Sequence, residues 1–78
     1  DAPQPEPQLI REEQIQAVVR ALEALDDRER LALRMKYYDG MTDAAIAKLF
    51  GMSRSGVRKV IDRARQHVGA QLRKEEWL

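Results

Sequence analysis

Arg54, Ser55, Arg58, Lys59, Arg63 and Arg65 put five cationic side chains and a hydroxyl within 12 consecutive positions. Between them run Val57, Val60, Ile61, Ala64 and Val68 at three- and four-residue spacing. On a helix turning about 100° per residue, these two sets separate onto opposite sides. A guanidinium donates through a planar fork that fits phosphate oxygens or the O6/N7 edge of guanine. Lysine acts as a point cation for phosphate, and a serine hydroxyl can bond several bases. The chemistry on offer is recognition of a polyanion. The start of a helix already carries partial positive charge, so Arg54, Arg58 and Lys59 in its first two turns are mildly unfavourable there. A docked polyanion would offset that cost.

The segments around this face are arranged to present it. Ser53 has the identity of an N-cap, and Met52 and Val57 have the spacing of a hydrophobic staple across it. The helix it opens is predicted to continue to about residue 74. Upstream, Thr42 is a second N-cap, with Met41 and Ile46 as its staple. That shorter helix is predicted over 43–50, with Ile46, Leu49 and Phe50 inward. Gly51 can adopt the left-handed conformation that often ends a helix. A short helix, a Gly turn and a longer basic helix form the layout of a helix-turn-helix, whose second helix enters the major groove of DNA. The N-terminal residues of such a helix reach base edges, so Arg54, Ser55 and Arg58 are the base-contact candidates. Lys59, Arg63 and Arg65 lie further along and suit phosphates. Thr42, Lys48 and Lys36 could touch the DNA backbone. Gly56 either lets the helix approach a groove wall or is simply tolerated in the first turn. Asp62 is placed to pair with Arg58 or Arg65, or to accept from a cytosine amine.

Two further helices are predicted upstream. Pro3, Pro5 and Pro7 make residues 1–8 a semi-extended linker. From about Leu9, Ile15, Val18, Val19, Leu22 and Leu25 form one apolar stripe. Asp26 then reads as an N-cap with Glu29 as its capping-box partner. The second helix is predicted to run to about Tyr38, burying Leu31, Met35 and Tyr38, with Ala32, Leu33 and Tyr37 at the margins. Asp39-Gly40 is a turn dipeptide. Tyr37 and Tyr38 suit the core or a partner contact. His67 suits packing or the surface, and Trp77 and Leu78 either fold back or fray. The expected fold is all-α: a compact four-helix domain over 9–78 with a C-terminal helix-turn-helix.

The composition agrees with that assignment. The chain has 78 residues and a net charge of +1. Residues 1–40 hold six Lys/Arg against nine Asp/Glu, a net −3, and residues 41–78 hold eight against four, a net +4. Such segregation suggests that one end faces a polyanion, the alternative being an ordinary solvated surface. A domain of this size buries only roughly 60% of its unfolded surface, so modest stability is expected. There is no cysteine and one histidine, so neither a disulfide nor a metal site is expected, and no cofactor is implied. No apolar run suits a membrane span or signal peptide. No Ser/His/Asp set, glycine-rich phosphate loop or paired carboxylates stand out, so no enzyme is expected. A cytoplasmic setting is expected. The opening Asp1 suggests a processed chain or a fragment with a domain upstream.

Residues 20 to 68 resemble region 4 of a bacterial sigma factor, most closely the extracytoplasmic-function group. The resemblance is carried by Ala21-Leu22-Glu23-Ala24-Leu25-Asp26-Asp27-Arg28-Glu29-Arg30 and by Arg34-Met35-Lys36-Tyr37-Tyr38-Asp39-Gly40-Met41-Thr42. Ile46-Ala47-Lys48-Leu49-Phe50-Gly51-Met52-Ser53, Val57-Arg58 and Arg63-Ala64-Arg65 complete it. It implies a non-enzymatic subunit of RNA polymerase, active in transcription initiation. That subunit would recognise promoter DNA near position −35 and dock on the β flap through an apolar surface. An anti-sigma protein would compete for that surface. Arg54, Ser55, Arg58 and Lys59 would face DNA, with Lys36, Thr42 and Arg63 near phosphates. The sequence departs from the family at Asp43, Ala45, Ser55-Gly56 and Val60. Two alternatives share these features. One is a response-regulator-type transcription regulator, which would dimerise through its last helix where a sigma domain alone would be monomeric. The other is a sigma-like module that binds an anti-sigma protein or polymerase without reading DNA.

Overall fold

A computed structural model describes the backbone of residues 7–77 and the side chains of residues 11–77. Four α-helices follow one another: α1 (Pro7–Glu23), α2 (Asp27–Leu33), α3 (Asp43–Phe50) and α4 (Arg54–Lys74). A π-helical turn, Arg34–Tyr38, extends α2. Among the described residues there is no strand. The linker expected over 1–8 lies mostly outside the described residues. Pro7 and Gln8 are helical, and proline is well suited to open a helix because its missing N–H would find no partner there.

Each helix start after α1 uses the side chain its sequence offers. Asp26 Oδ1 accepts from Glu29 N–H at 2.8 Å, Thr42 Oγ1 from Ala45 N–H at 3.1 Å, and Ser53 Oγ from Gly56 N–H at 3.0 Å. The Asp26 carboxyl is held below its ordinary range, first by the Glu29 backbone N–H. The expected capping box is half formed, because the Glu29 carboxylate makes no return bond and reaches α4 instead. Its Oε2 lies 2.8 Å from His67 Nδ1, and the Glu29 side chain is only 7% exposed. His67 therefore fastens α2 to α4. At the end of α1, Arg30 donates to the carbonyls of Leu22, Glu23 and Leu25. Carbonyls at a helix end lack the partner four residues on; the guanidinium fork reaches all three, and the Leu22 carbonyl also accepts from the Leu25 N–H at 3.2 Å.

The core is Leu25, Ala32, Leu33, Ile46, Ala47, Val57, Ile61 and Ala64, with Leu22, Met35, Met41, Phe50, Met52, Val60 and Val68 packed against it. Helix α4 is the hub and touches α1, α2 and α3. Both staple pairs meet at this core, where Ile46 and Val57 are fully buried.

Three burial expectations are corrected. In α1, Ile15, Val18 and Val19 are exposed, and the face turned inward is Ala17 and Ala21, leading to Leu25. Small side chains let the α1 backbone lie close on α4, which the wider stripe would prevent. In the second helix, Leu31 and Tyr38 are exposed and Ala32 and Leu33 are buried, with Met35 half-buried. The wider π turn, closed by Asp39 N–H on the Arg34 carbonyl at 3.0 Å, shifts the helical phase at its end. In α3, Leu49 is exposed and Ala47 is buried. Trp77 folds back, as one of the two expectations had it. Its N–H bonds the Leu72 carbonyl at 2.8 Å, and its side chain lines a hollow with Glu12, Glu13, Gln16 and Arg20 of α1. Leu78 lies outside the described residues.

Candidate nucleic-acid interface

The corner between α3 and α4 sets the angle of the basic helix. Gly51 adopts φ 64 and ψ 35, the left-handed conformation that most side chains disfavour. The turn closes when Met52 N–H bonds the Ala47 carbonyl at 2.9 Å. This is the long bond of a Schellman-type end. Two residues on, Ser53 caps α4. Gly56 is explained by this cap. A Cβ there would lie 3.1 Å from Ser53 Oγ and 3.2 Å from Met52 Cε. The bare position leaves room for the capping hydroxyl and the staple methyl.

Along α4, Val57, Ile61 and Ala64 face the core, while Arg54, Ser55, Arg58, Lys59, Arg63 and Arg65 are all exposed. Arg54, Arg58 and Arg65 lie within about 40° of one another on the helix circumference and form one edge. Ser55 and Lys59 occupy the crown beside it. Arg63 sits about 140° from Arg58, on the opposite flank, where it lines a hollow with Asp26, Arg28, Glu29 and Val60. Thr42 and Lys48 are exposed on the α3 side of the corner, and the Thr42 hydroxyl oxygen is engaged as a cap. Ser55 Oγ lies 3.2 Å from Ser53 Oγ.

Lys36 is drawn into the site by an ion pair. Its Nζ lies 2.6 Å from Asp43 Oδ1. Asp43 Oδ2 is 3.4 Å from Arg58 Nε. Asp43 is the first residue of α3, and its side chain is 16% exposed. The Lys36 hydrogen bond, then the charges of Lys36 and Arg58, hold its carboxyl below the ordinary value of 3.8. Together these residues line a hollow with Tyr37, Ile61, Asp62 and Arg65. Asp62 makes no ion pair among the described residues, so the pairing expected of it with Arg58 or Arg65 is absent. Asp43, 15 positions from Arg58, takes that role because the corner brings α3's first turn against α4. No sequence spacing signals this triad.

A second surface lies away from the basic edge. Leu22, Arg30, Leu33, Arg34, Tyr37 and Tyr38 line a shallow groove of about 590 Å³ between α1 and the π turn. Tyr38 is 83% exposed, and the Arg34 guanidinium stands 5.7 Å from its ring centroid. That contact is a cation–π arrangement on the groove's rim.

An all-α domain with two helices joined at a Gly corner, the second bearing an exposed basic edge, defines a helix-turn-helix domain. A family model described as Sigma-70, region 4 matches residues 15–68, and the chain belongs to that family. Domains of this family are sigma-factor domains that bind promoter DNA and contact RNA polymerase, a regulatory rather than a catalytic role. No curated protein and no solved structure matches the chain significantly. No helix among the described residues is long and apolar enough to cross a membrane.

Proposed function

We propose that this chain is the region 4 domain of a sigma factor of the extracytoplasmic-function group. It reads the promoter element near position −35 and helps direct RNA polymerase to transcription initiation. Arg54, Ser55 and Arg58 contact base edges, and Lys59, Arg63, Arg65, Lys36, Thr42 and Lys48 contact the backbone. The reading rests on one observation above others: the exposed edge of Arg54, Arg58 and Arg65 that runs along α4 from its capped start. The groove at Leu22, Leu33, Tyr37 and Tyr38 supports docking on the β flap of polymerase. Aromatic side chains presented on an apolar surface are the common anchors of protein interfaces. An anti-sigma protein would compete there. The setting is the cytoplasm, and the isolated domain is a monomer.

The test is binding to duplex DNA across a salt series. Each neutralised phosphate adds roughly 0.9 to the log–log slope. Arg54→Ala should relax base preference at one position, at a cost of about 1–3 kcal/mol. Lys59→Ala should weaken all sequences alike. A flat salt response would overturn the DNA reading in favour of a module that binds protein alone. A dimeric isolated domain would favour the response-regulator-type alternative.

A further inference from the structure

We propose that Asp43 is a positioning residue for base readout: it steers the Arg58 guanidinium by its Nε edge and limits indiscriminate attraction to phosphate. The inference rests on the DNA-binding reading above and deepens it.

The geometry runs in a chain. Lys36 Nζ holds one oxygen of the Asp43 carboxylate at 2.6 Å, and the other oxygen faces Arg58 Nε at 3.4 Å. Asp43 is 16% exposed while Arg58 is 72% exposed. The anchored end of the contact is therefore the carboxylate, and the free end is the arginine. A guanidinium has five N–H groups in a fixed plane. Using the Nε–H on Asp43 leaves the Nη1–Nη2 edge of the guanidinium without a partner among the described residues. That edge can still make the bidentate contact with guanine O6 and N7. Arginine carries large rotamer entropy, and a side chain already restrained loses less on binding. The same carboxylate removes one unit of positive charge from the face. It lowers attraction to phosphate of any sequence and leaves the directional contact intact. Lys36, held by Asp43, is tied to the same device.

A helix-opening aspartate also complements the helix dipole, so the experiment separates positioning from stability. The 78-residue chain and Asp43→Asn are each bound to a pool of duplexes with a randomised core, and the bound fraction is sequenced. Binding to one duplex of scrambled sequence is followed over salt. Arg58→Ala identifies the base position that Arg58 reads. Asp43→Asn is expected to erase preference at that same position, a loss of roughly 5- to 150-fold discrimination for one bidentate contact. It is also expected to tighten binding to the scrambled duplex and steepen its salt slope by roughly 0.9. Asp43→Glu should restore part of the preference. Lys36→Met loosens Asp43 from the other side and should weaken the preference in the same direction if Asp43→Asn folds poorly. Unchanged preference in folded Asp43→Asn, with Arg58→Ala still erasing it, overturns the inference alone. A wild-type chain that does not bind the pool overturns it together with the DNA reading.

Discussion

The α3–α4 corner and the α1–α2 half are built from the same residue types, yet they use their apolar side chains in opposite ways. At the corner, Ile46, Val57 and Ile61 are buried, and the exposed side chains beside them are polar or cationic. Leu49 is the exception among the large side chains. In the other half, Ala17, Ala21 and Ala32 share the packed face with Leu25 and Leu33, and Ile15, Val18, Val19, Leu31, Tyr37 and Tyr38 remain exposed. Large side chains therefore fill the corner, while most of those in α1 and the π turn are left on the surface. The contrast fits a division of labour in which one half fixes the angle of a recognition helix and the other offers apolar area to a partner.

The largest effect should come from the corner's core. Ile46→Ala is expected to cost about 2–5 kcal/mol, while Ile15→Ser on the exposed α1 stripe should change stability by no more than about 0.5 kcal/mol. Chemical denaturation measures both. An expensive Ile15→Ser would mean that the stripe is covered and the contrast is false.

Next in size is the groove. Tyr37→Ala should weaken binding to a β-flap fragment of polymerase by about 2 kcal/mol, the scale of an aromatic anchor. Its melting temperature should be nearly that of the parent, because Tyr37 is 60% exposed. Equal binding by both forms would remove the partner role from this half.

Smaller again is the cap. Ser53→Ala should cost about 1 kcal/mol, and Ser55→Ala, which removes no cap, should cost no more than about 0.5 kcal/mol. Equal thermal shifts in the two variants would mean that the cap does not set the start of α4.

The smallest is a pH effect shared by both halves. The carboxyls of Asp26 and Asp43 are held below their ordinary value of 3.8 in the folded chain. Their stabilisation is complete above that pH and is lost as pH falls through the folded values beneath it. Denaturation midpoints should decline below pH 3.8 in the parent. The decline should be shallower in Asp26→Asn and in Asp43→Asn. An identical acid profile in either variant would remove that carboxyl from the folded state's charge balance.

Much of the corner was legible in the sequence because its signals are local. A cap and its acceptor lie three residues apart, a staple spans five, and Gly51 needs only its own backbone conformation. The bounds of α3 and α4 follow from these short-range rules. The α1 stripe misled because periodicity identifies an apolar face without naming what covers it. Alanine is only weakly apolar, yet close approach of α1 to α4 depends on the small size of Ala17 and Ala21. The π turn leaves no mark in the side-chain pattern, so the exposure of Tyr38, which lies within it, could not be read from spacing.

What the sequence determined on its own was the set of helices, their caps and the cationic run from Arg54 to Arg65, since each depends on neighbours within a turn or two. Only the tertiary structure decided that Asp43 would meet Lys36 and Arg58, that Glu29 would leave its capping box for His67, and that Arg30 would close α1. Those contacts join groups 5 to 38 residues apart, the Arg30 ones running from a side chain to backbone carbonyls. Their partners are chosen by how the helices cross, and no local spacing encodes that choice.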